Sequence, residues 1–304
     1  MKDTRKLLVR RRARIIQDVR LEIIYIARGR PYVVQAVLSA LSARQMIGNL
    51  SCRIFCSECP DVVLGPGIEF RPFPKNVEDP KLLKTMLPTL SEKDVSMFVD
   101  ADTIFVGDLG EYRQFFDFFD VAARLNKEPQ SARGKGDSPV LGDFIASQLP
   151  HWNSGVILFR NSHGAVKFFE DWRRNYLEMG AAFDQISFVK TIIESRSKFL
   201  SLDYRWNAPP AMISSLGGKE IVCHYASNIS DRIFDLLVAL ESKLYPGDKS
   251  NSVSNFVGAR RRQKGRKLGL LRAAGSKVYW KIIHPIDKEY AKLLYAAIRN
   301  LDDH

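Results

Sequence analysis

The sequence predicts an α/β fold, a mainly parallel sheet flanked by helices, with a helical, basic C-terminal region behind it. Three observations carry this. Leu21–Ala27 is a near-continuous apolar run with β-branched residues, the pattern of a strand buried on both faces. Tyr32–Ile47 follows with Val33, Ala36, Val37, Ala40 and Leu41 at helical spacing, and Leu50–Phe55 reads as a second strand. A strand–helix–strand opening implies parallel pairing. Third, the apolar run Val95–Val99 ends abruptly in Asp100-Ala101-Asp102.

The remaining elements are read in order. Residues 1–20 are a basic lead-in. Arg28-Gly29-Arg30-Pro31 makes the turn into the first helix. Pro60–Pro80, rich in Pro and Gly, is loop with one short strand, and Lys81–Leu90 is a short helix. Thr103–Val106 briefly continues the Val95–Val99 strand. Val121–Arg124 and Gly155–Arg160 are strands, with a mobile loop over Pro129–Pro139 between them. Ala165–Met179 is an amphipathic helix with Phe168, Phe169 and Trp172 inward, and Phe183–Glu194 is another helix, opened by Asp184. Lys198–Leu202 and Lys219–Cys223 are short strands. The domain plan is a lead-in over 1–20, an α/β domain over 21–235 and a helical, basic region over 236–304.

Composition bounds the function. A 45 % hydrophobic and 26 % charged chain of 304 residues can build a sizeable core. The net charge of +12 favours anionic partners, but it concentrates at Lys2–Arg20 and Arg260–Lys281. No helix-turn-helix, zinc-finger or aromatic RNA-binding signature accompanies it, so nucleic acid is not an expected partner. No apolar run reaches the ~18–20 residues of a membrane span, and the N-terminus lacks a signal peptide's apolar stretch. The expected location is cytoplasmic. The cluster Arg260–Lys267, followed by Leu268, Leu270, Tyr279 and Trp280, suits the anionic inner face of a membrane as well as it suits a solvated linker. Of four cysteines, Cys52, Cys56 and Cys59 cluster and Cys223 is remote. That spacing favours reduced, partly buried thiols over a zinc site.

The chemistry centres on Asp100 and Asp102. On an extended segment, positions i and i+2 share a face, so two carboxylates at the end of a buried strand would project together into the crevice beyond the sheet. A hard divalent cation, Mn²⁺ or Mg²⁺, satisfies such a pair and can hold a diphosphate. Solvated loop acids are the bland alternative. No Gly-x-Ser-x-Gly elbow and no Walker phosphate loop point elsewhere.

Met97–Leu109 around the Asp-Ala-Asp resembles the Asp-x-Asp segment of GT-A glycosyltransferases. It looks most like the retaining glycogenin-like family and the related bacterial lipopolysaccharide hexosyltransferases. His151-Trp152-Asn153-Ser154-Gly155 resembles that family's Asn-Ser/Ala-Gly strand. Asp184-Gln185 resembles its Asp-Gln pair, Trp206-Asn207 its late Trp-Asn, Val222-Cys223-His224-Tyr225 its late metal-binding His, and Ile23–Ala27 its first strand. The resemblance runs over about residues 21–228 and omits the tail.

It implies a metal held by Asp100, Asp102 and His224. Ala27, Arg28 and Tyr32 would line the base and diphosphate pocket, with Asp100 also near the ribose and Lys84 reaching the donor. Asn153 would contact donor sugar or acceptor, and Asp184 and Gln185 would sit at the reacting carbon. Asp184 also suits a helix N-cap. Trp206 is expected to pack rather than bind. The sequence departs from the family after His224, where a Gly and a Lys commonly bind the diphosphate. Here Ser227, Asn228 and Arg232 are the substitutes. The implied activity is transfer of a hexose from a nucleotide-diphosphate sugar, a UDP-sugar in the first instance, to a glycan or lipid-linked acceptor with retention. A non-catalytic sugar-nucleotide binder of the same fold is the alternative.

Overall fold

The computed structural model describes residues 21–48, 50–109, 118–126, 150–180, 184–209, 220–225, 229–247, 250, 252–259 and 288–302. The strands are β1 (Leu21–Ala27), β2 (Ser51–Cys56), β3 (Ile68–Pro72), β4 (Val95–Val99), β5 (Thr103–Phe105), β6 (Val121–Leu125), β7 (Trp152–Arg160), β8 (Phe199–Leu202) and β9 (Val222–His224). The helices are α1 (Arg30–Ile47), α2 (Pro80–Lys84), α3 (Leu87–Leu90), α4 (His163–Glu178), α5 (Asp184–Glu194), α6 (Asp231–Leu244), α7 (252–259) and α8 (Lys288–Arg299). Seven strands form one mixed sheet in the order β3-β2-β1-β4-β7-β6-β8, and β5 pairs with β9 in a separate two-stranded sheet. The described part of the expected loop at Pro129–Pro139 is nil, and the basic segments 2–20 and 260–281 also lie outside the described residues. Among the described residues no helix is long and apolar enough to cross a membrane.

By contact the chain divides into two compact units, each assembled from separate stretches. The first takes the start of β1, then Lys81–Val99 and Leu109–Tyr204. Here β1 runs parallel to β4, Leu21 opposite Val95 through Ile24 opposite Phe98. β7 runs against both β4 and β6, and β8 runs parallel to β6. A register shift between Ala123 and Arg124 turns the end of β6, the local effect of a bulge. All five residues of β4 are buried, so its apolar run needs no alternation. Glu22 is a buried acid within β1. Its Oε1 accepts from the Ser91 and Ser96 hydroxyls and from the Glu92 and Lys93 amides, which replaces its hydration. Ser162 caps α4 by accepting from the Ala165 amide. Phe159, Phe168, Phe169, Trp172, Phe188 and Phe199 pack as an aromatic cluster with ring centroids 4.7–6.4 Å apart.

The second unit takes Tyr25–Pro80, Asp100–Asp108 and Arg205–His304. α1 is buried at every position from Val33 to Ala43. That differs from the one-faced helix expected from its spacing. Its polar residues tolerate this through local bonds: Gln35 donates to the Pro31 carbonyl and Ser42 to the Ser39 carbonyl. Pro31 sits in its first turn, where a missing N–H is harmless. α8 buries Ala291, Leu294 and Ile298, a helical stripe, and its Tyr290 hydroxyl donates to the Phe105 carbonyl at 2.6 Å. The C-terminal helix therefore holds β5 directly.

Two expectations are corrected here. β5 does not continue β4: its partner is β9, in its own sheet. The cysteines are not all reduced thiols: Cys56 and Cys59 form a disulfide, while Cys52 and Cys223 are free and buried.

Candidate metal and sugar-nucleotide site

β5 and β9 pair antiparallel with Thr103 opposite His224 and Phe105 opposite Val222. β9 is bracketed on its other side by Ala208, whose amide donates to the Val222 carbonyl and whose carbonyl accepts from the His224 amide. The Tyr225 amide donates to the Asp102 carbonyl, and the Val106 and Gly107 amides donate to the Ile221 carbonyl. A Cβ on Gly107 would collide with the Glu220 carbonyl, so only glycine permits this approach.

The outcome is a cluster of Asp100, Asp102 and His224, all half-buried, with ligand atoms within 4.8 Å of one another. His224 Nε2 lies 2.9 Å from Asp102 Oδ1, across 122 positions of sequence. A carboxylate oxygen accepts, so in this arrangement Nε2 carries the proton. The two acids do not converge by strand alternation as the i, i+2 spacing suggests. Ala101 and Asp102 form a turn, and the Thr103 hydroxyl ties that turn by donating to the Asp100 carbonyl at 2.8 Å. Since Thr103 donates there, it accepts from Ser39 at 2.8 Å, and Ser39 in turn accepts from Tyr25 at 3.1 Å. Burial holds the Tyr25 phenol well above its ordinary range, so it stays a donor. The donor set fits a divalent cation: two carboxylates and one imidazole suit Mn²⁺ or Mg²⁺, with no thiolate to select a softer metal.

A cleft of about 420 Å³ lies in the same unit, lined by Arg28, Cys56, Ser57, Pro72, Phe73, Pro74, Asn76, Val77 and Glu78. Arg28 faces it. Ala27 is fully buried, and Tyr32 packs edge-on against Phe256 with ring centroids 5.2 Å apart. Ser57, unnoticed in the sequence, accepts from the Gly29 amide at 2.9 Å and donates its own amide to the Ala27 carbonyl. Arg232 stands half-buried in the first turn of α6. Ser227 and Asn228 lie outside the described residues. Trp206 and Asn207 are buried in the short 3₁₀ turn Tyr204–Asn207.

In the first unit, Asp184 opens α5 and its carboxylate Oδ2 meets Lys84 Nζ at 3.2 Å and the Ser154 hydroxyl at 3.0 Å. The aromatic cluster fixes its backbone: Trp172 Nε1 donates to the Asp184 carbonyl at 3.3 Å. Burial alone would push the Asp184 carboxyl up. The Lys84 charge and hydrogen bond, together with the Ser154 hydroxyl, outweigh it and hold the carboxyl below its ordinary range. Lys84 also lies over the Phe98 ring, 4.9 Å from its centroid. Gln185 follows in the first turn of α5, half-buried. Asn153 stands opposite Arg124 in the β6–β7 register, and its Oδ1 accepts from the Gly155 amide at 2.8 Å.

No protein-family model and no curated protein sequence matches the chain. Solved structures do. The apo structure of the bifunctional glycosyltransferase WbbM matches with a TM-score of 0.51 and 16 % identity, over 69 % of this chain and 46 % of WbbM. The galactosyltransferase LgtC, in complex with donor and acceptor sugar analogues, matches with a TM-score of 0.51 and 13 % identity, over 75 % of this chain and 98 % of LgtC. The fold is GT-A. An active-site mutant of LgtC gives the same picture, with a TM-score of 0.52 over 76 % of this chain. At 13–16 % identity the likeness is one of fold. The chain spans just under half of WbbM and nearly all of LgtC.

The Lys84–Asp184 pair predicts a pH signature. An acid held low in the folded state contributes stability above its unfolded value, near 3.9, and that contribution fades as pH falls through the folded value. Lys84→Met leaves the buried carboxylate without its cation, at a cost of about 3 kcal/mol near neutral pH. Asp184 then titrates high, so the deficit shrinks as the solution is acidified and the carboxyl becomes neutral. Urea unfolding of both proteins across acid to neutral pH checks this; an unchanging deficit would contradict the pairing.

Proposed function

We propose that this protein is a metal-dependent glycosyltransferase. It moves a hexose from a nucleotide-diphosphate sugar, UDP-linked in the first instance, to a hydroxyl of a glycan or lipid-linked saccharide, with retention. The observation that carries the reading is the convergence of Asp100, Asp102 and His224 on a GT-A fold.

Asp100, Asp102 and His224 would hold the cation, His224 as a neutral imidazole that offers one bare ring nitrogen. When bound, Mn²⁺ or Mg²⁺ supplies charge stabilisation for the departing nucleoside diphosphate. Arg28 faces the cleft that receives the base and diphosphate, and Ser227, Asn228 and Arg232 stand in for the family's Gly and Lys toward the diphosphate. Asp184, kept ionised by Lys84, is a fixed negative group suited to an oxocarbenium-like sugar carbon. Gln185 and Asn153 orient the sugar or acceptor by hydrogen bonds. Retention places the acceptor hydroxyl on the leaving-group face, and an inverted product anomer by NMR would exclude it.

Thermal unfolding with UDP-, GDP- and CDP-sugars, each with and without Mn²⁺, tests the reading. The melting temperature should rise only with Mn²⁺ and one nucleotide class together, and Asp102→Asn should abolish the rise. No rise with any pair would refute donor binding. A rise without transfer to any acceptor would favour the non-catalytic binder.

We also propose that the enzyme binds the cytoplasmic membrane face through the basic sequence at 260–267. Removing the tail would not isolate this property, because α8 supports β5. Reversing the charge of Arg260, Arg261 and Arg262 to Glu should instead abolish flotation with anionic liposomes. Equal flotation of both proteins would refute the membrane role.

A further inference from the structure

The disulfide Cys56–Cys59 closes a four-residue ring at the end of β2. The two residues inside the ring, Ser57 and Glu58, hold the turn between β1 and α1. The Ser57 amide donates to the Ala27 carbonyl, and the Ser57 hydroxyl accepts from the Gly29 amide. Glu58 Oε2 pairs with Arg30 Nε at 3.3 Å, and the Glu58 carbonyl accepts from the Tyr245 hydroxyl at 3.0 Å. Arg30 lies over the Tyr245 ring. Gly29 has a φ of 84°, a left-handed conformation stabilised from outside by Ser57. Cys56 and Ser57 also line the cleft that Arg28 faces. The disulfide thus sets the ring that sets the turn that shapes one wall of the cleft.

We propose that Cys56–Cys59 is a reversible thiol–disulfide exchange site that latches this cleft in its binding shape. Two residues between the cysteines is the spacing of exchanging pairs. Cys59 is exposed and Cys56 is buried, so access is one-sided. A thiolate of an external dithiol attacks Cys59 Sγ. The S–S bond breaks, and its electron pair leaves on Cys56 Sγ, which takes up a proton. The second thiol of the dithiol then attacks the mixed disulfide and releases Cys59. The dithiol becomes a disulfide, and the protein gains two electrons and two protons as two thiols. In the disulfide, Cys56 Sγ lies 3.6 Å from the Arg71 carbonyl, which is placed to accept the S–H that reduction creates. A ring this short removes little chain entropy from the unfolded state, so its opening loosens the turn without unfolding the protein. Cys52 and Cys223 do not compete: both are buried, and burial pushes the Cys52 thiol up to about 12.

The effect on binding rests on reading the cleft as part of the donor site; the effect on the turn does not. The test uses the oxidised full chain treated with dithiothreitol. Native alkylation followed by mass spectrometry should label Cys56 and Cys59 and spare Cys52 and Cys223. Amide exchange should quicken at Ala27–Arg30 and Ser57–Cys59. Calorimetric affinity for the Mn²⁺-loaded nucleotide sugar should weaken by about threefold to tenfold, as expected when a preorganised wall becomes mobile. Cys59→Ser should reproduce both changes without reductant, and reoxidation of the wild type should reverse them. Reduction only under denaturing conditions would overturn the proposal, as would a reduced form with unchanged exchange. If no nucleotide sugar binds either form, the donor reading fails, and the exchange data alone decide the latch.

Discussion

The candidate site depends on one pairing register, Thr103 opposite His224 in the β5–β9 ribbon. Side chains alternate along a strand, so a slip of one residue would turn His224 away from Asp102. Several local features oppose such a slip. Gly107 admits the Glu220 carbonyl where any Cβ would collide. Ala208 grips β9 from its free side. The Ser42 hydroxyl accepts from the Phe105 amide, and Tyr290 donates to the Phe105 carbonyl, so α1 and α8 both fix the end of β5. A three-residue strand has too few ladder bonds to hold a register alone, and its neighbours supply the rest.

Polar groups within the buried parts fix the direction of several side chains. The chain Tyr25–Ser39–Thr103 ends on the Asp100 carbonyl and gives each hydroxyl one donating direction. In the other unit, Asp184 is tied by Lys84 and Ser154 at its carboxylate and by Trp172 at its carbonyl. Removing one partner from such an arrangement leaves a desolvated group unsatisfied, a larger loss than the bond itself is worth. These side chains are therefore positioned before any ligand arrives, which is what electrostatic catalysis requires.

Much of this was legible in the sequence where burial is complete. β1 and β4 fall where the apolar runs begin and end, because strands covered on both faces leave no alternation to misread. The Asp-Ala-Asp motif and His224 were legible through resemblance. Their convergence was implied by the same resemblance and not by the residues themselves, since it depends on a pairing across 122 positions. Thr103–Phe105 was misassigned for a related reason: three apolar-leaning residues do not say which strand they will pair with. α1 was read as one-faced from the spacing of Val33, Ala36, Val37, Ala40 and Leu41, yet Gln35, Ser39 and Ser42 are buried as well, each with a hydrogen-bond partner. The disulfide carried a signal in its Cys-x-x-Cys spacing, overlooked beside the equally suggestive Cys52 and Cys56. Lys84 was singled out as a donor contact, but nothing along the chain joins it to Asp184.

The central claim is that the β5–β9 register assembles a divalent-cation site. Titration of the full chain with Mn²⁺, followed by electron paramagnetic resonance of the free ion, tests it most directly. One bound Mn²⁺ per chain is expected, with affinity about tenfold or more weaker in His224→Ala at unchanged thermal stability. Equal Mn²⁺ binding by the wild type and His224→Ala would contradict the account.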